Sequence, residues 1–303
     1  MLFDSVIIGG GPAGLNAALV LGRARRNIIL FDNNKPGNAV THASHGFITR
    51  DGINPSEFSE FRQIAHKELN RYPSIEFKDN EVNSVIKNEV TFDLITSNGE
   101  KYQSKTLIIS TGLKGILPDI DSISKFYGTS LFNCPYCDGW ELKDKPLVVI
   151  IEEQKHIFHY VQTIYNWSKD LVVCSNGNII SDPELKDLLQ SKGVKIMEQR
   201  IKNLIGENGL MEQIVFENGE TLSRKAGFVL PQYIQSSDFG KQLGCENDPM
   251  GGIATDTFGR TNIHGVYAAG DASKIFPYGI IYAAAEGSLA AVGVNTDLTE
   301  QDF

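Results

Sequence analysis

The sequence predicts an α/β fold made of two three-layer units, the second inserted into the first. Three observations carry this. A strand, a glycine turn, a helix and a second strand open the chain; the same order of elements recurs from Leu147; and the stretch after Gly259 returns to the first pattern. With 303 residues, the chain is long enough for two units that each bury a core.

The first pattern is compact. Ser5–Ile8 reads as a short apolar strand and Gly9-Gly10-Gly11-Pro12-Ala13-Gly14 as a tight turn. A helix over 15–21 and a strand over 28–31, ending at Asp32, follow. Gly9, Gly11 and Gly14 have the Gly-x-Gly-x-x-Gly spacing: the first permits the turn, the second lets backbone approach a pyrophosphate, the third lets helix pack on strand. The helix N-terminus then offers amide hydrogens to phosphate, and Asp32 stands where a ribose hydroxyl would donate. A glycine-rich loop without a ligand is the bland alternative.

Next, 90–96, the turn Ser97-Asn98-Gly99-Glu100 and 105–109 predict a hairpin leading into a buried strand that ends at Ser110-Thr111-Gly112. The elements then repeat: a strand over 147–151, a helix over 157–167, a strand over 171–174, and a turn at Glu217-Asn218-Gly219-Glu220 into a strand over 226–230. Asn98-Gly99-Glu100 and Asn218-Gly219-Glu220 hold matching places, so the chain contains two Rossmann-like, dinucleotide-binding-type units. Gly259-Arg260-Thr261, a strand over 266–269, Gly270-Asp271 and an alanine-rich helix over 280–294 belong to the first. The expected division is therefore 1–116 with 246–303, and 117–245 inserted, with crossings near Lys114–Pro118 and Ser236–Gly251 where glycine and proline gather.

Composition narrows the function. Acidic residues outnumber basic ones 37 to 28, for a net charge of −9, which argues against nucleic acid. The one basic cluster, Arg23, Arg25 and Arg26, reads as a solvated helix end complementing the macrodipole. No apolar run approaches the roughly 18 residues that span a bilayer. Leu2–Ile8 lacks the basic leader of a signal peptide, so a cytoplasmic protein without membrane contact is expected. Of four cysteines, Cys174 ends an apolar run and reads as a buried hydrophobe. Cys134 and Cys137 form a spaced pair. Two intervening residues at a helix start bring the sulfurs to bonding distance, and the helix N-terminus lowers a thiol pKa. Half of a zinc site is the rival reading, but the sequence holds no second Cys-x-x-Cys or His-x-x-x-His, and no metal is assigned.

Gly9–Gly14, Ser110-Thr111-Gly112, Cys134-Pro135-Tyr136-Cys137-Asp138-Gly139 and Thr261 to Asp271, in that order, resemble the low-molecular-weight thioredoxin-reductase family over essentially the whole chain. The resemblance implies an FAD enzyme of thiol–disulfide exchange, with a thioredoxin-like protein or a small dithiol or disulfide as substrate, working as a homodimer. It implies that Gly9, Gly11, Pro12, Ala13 and Gly14 hold the FAD pyrophosphate, Asp32 the adenosine ribose, Asn38 the pyrophosphate side and Val82 the adenine side. Thr111, Gly112 and Gly270 belong beside the cofactor, and Asp271 on the ribityl chain or flavin-side phosphate. Where the family has Arg-Gln at the start of its last helix this chain has Tyr278-Gly279, so Gly279 and Ile280 take the flavin position. Cys137 would exchange electrons with FAD, Cys134 would meet the substrate, and Asp138 would move the thiol proton. His45 falls in the stretch that passes the flavin in relatives. It is assigned either to the cofactor, steadying a reduced flavin or acting as a base, or to an ordinary loop hydrogen bond.

The second unit departs from the family. Against Gly9, Gly11 and Gly14 the sequence register sets Glu152, Gln154 and Ile157. The second strand of that unit ends in Cys174-Ser175-Asn176-Gly177, without an acid for NAD or an arginine pair for NADP, and its closing strand ends in Pro231-Gln232-Tyr233. Loss of ordinary NADPH use is therefore expected, against a diverged but working pocket. Three functions stay open. One is a dithiol oxidase passing electrons to oxygen, although that branch often has His after the second cysteine and this chain has Asp138. The second is a disulfide reductase fed by ferredoxin or flavodoxin, docking on Arg23, Arg25, Arg26 and Lys35. The third is a flavin-bound redox sensor without turnover.

Overall fold

The computed structural model describes residues 1–54 and 60–303. In chain order the elements are β1 (Leu2–Ile8), α1 (Pro12–Arg23), β2 (Ile28–Asp32), α2 (Glu60–Leu69), β3 (Ile75–Asp79), β4 (Val82–Lys87), β5 (Phe92–Thr96), β6 (Lys101–Ile109), β7 (Leu113–Ile116), α3 (Ile123–Phe126), β8 (Leu131–Phe132) and α4 (Pro135–Asp138). There follow β9 (Leu147–Ile150), α5 (Gln154–Ile164), β10 (Leu171–Cys174), α6 (Pro183–Ser191), β11 (Lys195–Met197), β12 (Ile201–Glu207), β13 (Leu210–Phe216), β14 (Thr221–Ser223), β15 (Ala226–Val229), β16 (Gln232–Gln235), α7 (Phe239–Leu243), β17 (Val266–Ala268) and α8 (Ile280–Asp302). No described helix is long and apolar enough to cross a membrane.

Two compact units result: Met1–Ala39 with Asn54–Lys114 and Tyr233–Phe303, and Val40–Ile53 with Gly115–Gln232. In the first, β3, β2, β1 and β6 run parallel, and β6 divides its length between two partners. Its N-terminal half pairs antiparallel with β5, and its C-terminal half, Leu107–Ile109, pairs in parallel with β17. In the second unit β11-β10-β9-β15-β8 repeat that order, all parallel, with β12-β13-β14 as a separate antiparallel sheet.

Both parallel sheets are covered on both faces, and strand alternation sorts their residues. Ile7, Leu30 and Ile108 join α1 and α8 in one core, while Val6, Ile8, Ile29, Phe31, Leu107 and Ile109 join Phe239 and Ile253 in another. In the second unit Val149, Val173 and Phe228 pack against Ile157, Val161 and Ile164 of α5; Val148, Ile150, Val172 and Cys174 pack against Ile214 and Phe216. This is the α/β, three-layer arrangement that the sequence predicts, twice over.

Three expectations shift. The return boundary lies at Tyr233 rather than Glu246, because Phe239 of α7 enters the first unit's core beside Val6 and Ile109. The segment 40–53 groups with the second unit, not the first. The last helix runs on to Asp302 instead of stopping at Val294, and Arg26 explains the extension: its guanidinium donates to Asn295 Oδ1 (2.9 Å), to Thr299 Oγ1 (2.7 Å) and to Asp302 Oδ2 (2.7 Å). Arg26 is thus a clamp on α8 rather than a solvated helix end.

Candidate active site

The glycine turn of the first unit is built by close approach. Gly9 N–H donates to Phe31 O at the end of β2, 2.8 Å away, and its φ of +113° is open chiefly to glycine. A Cβ on Gly9 would lie 2.2 Å from Ser110 O, and one on Gly14 would lie 1.9 Å from Gly9 O. A Cβ on Gly10 would strike the Asp32 carboxylate at 2.1 Å, yet one on Gly11 would meet nothing within 4 Å. The turn is closed against protein at three glycines and open at Gly11, where α1 begins without a side-chain cap and with Pro12 in its first turn. Uncapped amides over an open glycine are a cradle for phosphate.

The other predicted residues are placed as follows. Ser110 Oγ donates to Ile8 O and Gly9 O, both at 3.0 Å, which fixes Thr111 and Gly112 next to the turn. Thr111 Oγ1 pairs with Ser237 Oγ at 2.8 Å, and Ser236 N–H donates to Gly112 O. Asn38 follows Gly37, whose own Cβ position faces Leu113 O at 2.8 Å. Gly270 approaches Ala13, and Gly287 of α8 sits where a Cβ would be 2.0 Å from Ala13 O. Asp271 follows on a short 3-10 turn; burial, with Glu286 nearby, pushes its carboxyl up to about 6. The Glu286 carboxylate accepts from Gly270 N–H and Ser273 Oγ, both at 2.9 Å. Val82 is buried at the start of β4 in the core that holds Phe31. Gly279 and Ile280 open α8, and the nearest atom to a Gly279 Cβ is Tyr282 Cδ2 at 3.6 Å. Sequence reasoning missed Arg62, a buried α2 residue whose guanidinium pairs with the Asp32 carboxylate. Its partner lies thirty residues away and no local pattern signals it.

In the second unit Cys134 and Cys137 are joined as a disulfide at the start of α4. The helix is a single turn, so it has little of the macrodipole the sequence reading counted on; a local amide acts instead, Cys137 N–H donating to Cys134 Sγ at 3.2 Å. Tyr160 Oη anchors the approach by donating to Asn133 O (2.8 Å), and Gly139 is required because a Cβ there would lie 2.6 Å from the Trp167 ring. Cys134 is buried, Cys137 half-buried, and Tyr136 and Trp140 beside them are exposed. Burial and the Glu141 carboxylate push Asp138 up to about 7, with His45 opposing. Cys174, in contrast, is an inert core residue whose thiol burial raises to about 12.

The chain matches the family model described as pyridine nucleotide-disulphide oxidoreductase over residues 3–179 and 180–288. It belongs to that family. Among solved structures it is similar to TrxB of Bacillus anthracis, described as a candidate thioredoxin reductase, at 42% identity and TM-score 0.95, covering 99% of this chain and all of the other. An oxidoreductase from Agrobacterium tumefaciens is 30% identical with TM-score 0.90, covering 99% of both chains. A curated relative, thioredoxin reductase aclD of Aspergillus oryzae, is 29% identical over 98% of this chain and 96% of its own. This chain is thus a thioredoxin-reductase-like member of the pyridine nucleotide-disulphide oxidoreductase family, an enzyme of thiol–disulfide exchange.

Within this family member the two turns superpose in register by their hydrogen bonds, one residue away from the sequence alignment. Ile151 N–H donates to Cys174 O as Gly9 N–H does to Phe31 O, and Glu153 immediately precedes α5 as Gly11 precedes α1, neither helix having a side-chain cap. Gly9, Gly11 and Gly14 therefore correspond to Ile151, Glu153 and His156, not to Glu152, Gln154 and Ile157. Ile151 is apolar and reads as strand, which hides the slip. Leu230 N–H bonds Ile150 O as Ser110 N–H bonds Ile8 O, so Leu230-Pro231-Gln232 replaces Ser110-Thr111-Gly112. The side chains at the second turn hold one another. Asn176 Nδ2 donates to Glu152 (2.7 Å), Gln154 donates to Ile179 O, and Ser181 donates to Gln154 Oε1 through its amide (3.1 Å) and hydroxyl (3.0 Å).

His45 groups with the second unit, its Nδ1 3.3 Å from Asp51 and its Nε2 3.7 Å from Glu141. Of the predicted basic face, Arg23 donates to Tyr72 Oη, Arg26 clamps α8 and Lys35 pairs with Glu81 at 3.0 Å, while Arg23, Arg25 and Lys35 remain exposed.

Proposed function

We propose that this protein is an FAD-dependent thiol–disulfide oxidoreductase that cycles the Cys134–Cys137 pair and is not driven by NADPH. The observation that carries the second half is the second turn, where Glu152 and Glu153 stand in place of Gly10 and Gly11, Glu152 tied to Asn176 and the following Gln154 to Ser181 and Ile179. Two carboxylates at an anion site oppose a pyrophosphate by like charge, and Ser175, the counterpart of Asp32, has its hydroxyl turned to Asn178 O.

The first turn fits FAD. Gly9, Gly11, Pro12, Ala13 and Gly14 would hold its pyrophosphate on the open α1 N-terminus, with Asp32, steadied by Arg62, for the ribose. Asn38, Val82, Thr111, Gly112, Gly270, Asp271, Gly279 and Ile280 complete the set. When bound, FAD supplies the two-electron partner of the cysteine pair. The chain's own residues do the rest: Cys134 meets the substrate sulfur, Cys137 leaves or attacks within the pair, and Asp138 holds or gives up the proton this requires.

Without NADPH, one direction is dithiol oxidation with oxygen as final acceptor, overall dithiol plus O2 to disulfide plus H2O2. Arg23, Arg25 and Lys35 stay exposed, so a disulfide reductase on which an acidic ferredoxin or flavodoxin docks is the second reading. A small dithiol or a thioredoxin-like protein is the substrate class, and a homodimer in the cytoplasm is the setting the family likeness suggests.

Anaerobic titration of the purified protein with NADPH and then dithiothreitol, read by flavin absorbance, tests both halves. NADPH should leave the flavin oxidised and the dithiol should bleach it, with colour returning promptly on admission of oxygen. Prompt bleaching by NADPH would show that the second turn still binds nicotinamide. A flavin that recolours slowly in air would replace oxygen with a protein electron carrier.

A further inference from the structure

Helix α8 meets the glycine cradle through two adjacent residues, and each holds a different part of it. A Cβ on Gly287 would lie 2.0 Å from Ala13 O, so this glycine lets α8 rest on the first turn of α1. Glu286, the residue before it, reaches the turn that carries Asp271. Its Oε2 accepts from Gly270 N–H and from Ser273 Oγ, both at 2.9 Å, and its Oε1 lies 3.3 Å from Lys274 Nζ.

The junction has no slack. Gly270 has a φ of +69°, and a Cβ on it would meet Ala13 Cβ at 2.9 Å and Ala283 Cβ at 3.4 Å. Gly270 is thus wedged between α1 and α8, with Gly287 one helical turn beyond Ala283. The turn it opens spans only Gly270–Ala272 and has no side-chain cap of its own. On its far side Ile253 N–H and Gln235 Nε2 donate to Ala272 O, at 2.9 and 3.0 Å. On the near side the amide of buried Gly270 has Glu286 as its acceptor. Removing that acceptor would strand a buried donor, which the turn relieves only by shifting.

The two acids at this place are used differently. Both Glu286 oxygens are engaged by the chain, and its side chain is 17% exposed. The half-buried Asp271 carboxylate takes no hydrogen bond or ion pair from the described residues. One acid ties the turn to α8 and the other is left for a ligand.

We propose that Glu286 is a positioning residue for the flavin half of the cofactor. It fixes Gly270-Asp271 at one spacing from the Ala13 end of α1, so that the Asp271 carboxylate and the uncapped α1 amides meet the same dinucleotide. The proposal rests on FAD being the ligand of the first turn. Glu286 makes and breaks no bond to it and acts only through the backbone of the 270–273 turn.

The test is equilibrium binding of FAD to the full-length protein stripped of flavin, read by flavin fluorescence and followed to millimolar FAD by dialysis. Glu286→Ala should weaken FAD binding by about 10-fold or more. Glu286→Gln keeps an oxygen for Gly270 N–H and loses only the exposed pair with Lys274, so it should stay within about 5-fold of wild type. Ser273→Ala removes one of the donors that hold the Glu286 oxygen; as the milder variant it should cost about 3-fold. Circular dichroism verifies that each variant is folded.

A double-mutant cycle separates positioning from general loosening of the fold. With Asp271→Asn in place, Glu286→Ala or Ser273→Ala should weaken FAD by no more than about 2-fold further. With Asp32→Ala in place, at the other end of the cradle, each should act at full strength. Full-strength weakening on both backgrounds overturns the proposal while the FAD site stands. So does an FAD affinity unmoved by Glu286→Ala, or Glu286→Gln as damaging as Glu286→Ala. Wild-type protein that takes up no FAD removes the cofactor itself. Asp271→Asn binding FAD as the wild type does would remove the contact that Glu286 is held to position, and the proposal with it.

Discussion

The turn at Gly9–Gly14 and the turn at Ile151–His156 share a scaffold and differ in everything a phosphate would feel. Each follows the central strand of a parallel sheet, each bonds its first amide to the end of the next strand, and each opens a helix over the same face. In the first, missing side chains let Ser110, Asp32 and Gly9 O close upon the backbone and leave Gly11 bare. In the second, side chains have filled the space and found partners of their own. Topology alone therefore does not fix the turn: the sheet order is preserved in both units while the bare-backbone turn is kept in one.

The sharpest way to break this comparison is to place one methyl at equivalent positions. Gly14→Ala drives a Cβ into Gly9 O and should cost at least about 3 kcal/mol, with loss of bound flavin read by absorbance and of the first melting transition by calorimetry. The matching His156→Ala, on an exposed side chain, should stay within about 0.5 kcal/mol and leave the flavin in place. Equal effects at the two sites would mean the turns are not structural counterparts.

Next in size is the chemistry the second unit has kept. Asp138→Asn should slow dithiol-driven reduction of the disulfide about 100-fold or more. The same variant has a stability signature. The folded protein raises the Asp138 pKa from 3.8 to about 7, so it binds a proton that the unfolded chain releases; stability is full below the unfolded value and falls as pH rises toward 7. Asp138→Asn should therefore melt higher than wild type at pH 8 and level with it at pH 3. A variant no more stable at pH 8 would show that the carboxyl is not held neutral.

A smaller effect tests whether the second turn can be repaired. Glu152→Gly, Glu153→Gly and His156→Gly together should gain less than about 10-fold in NADPH affinity, because Ser175 and Pro231 still stand where the first unit has Asp32, an acid suited to a ribose, and Thr111. Isothermal titration calorimetry reads this directly, and a large gain would place the whole loss of function in those three side chains. Arg26→Ala tests stability alone. Losing four hydrogen bonds to α8 should cost about 1–2 kcal/mol and speed amide exchange over 295–302 without touching the flavin.

Local chemistry was legible in the sequence and long-range pairing was not. Gly9–Gly14, Asp32, Cys134–Cys137 and the strand at Leu171–Cys174 each announce themselves within a few residues. The register of the second turn was misread by one because Ile151 is as apolar as the strand it leaves, and only a bond to Cys174 O shows that the strand has ended. Phe239 joins the first core, Arg62 meets Asp32, Arg26 reaches α8 and His45 meets Glu141 through contacts between distant segments. No periodicity encodes these. His45 was singled out by its place along the chain and then found beside a different set of partners.

The forked pairing of β6 has a consequence for how the chain is made. Its C-terminal half waits for β17, and α1 waits for Gly287 of α8 to settle on Ala13. The intervening segment is roughly 150 residues, about 8–30 s of synthesis at usual ribosomal rates. Most of the inserted unit, 115–232, is contiguous and emerges whole within that interval. The disulfide-bearing unit is therefore mostly assembled on the ribosome while the phosphate cradle is still unfinished, and a message truncated before Val266 would yield the cysteines without a closed cradle beside Gly9.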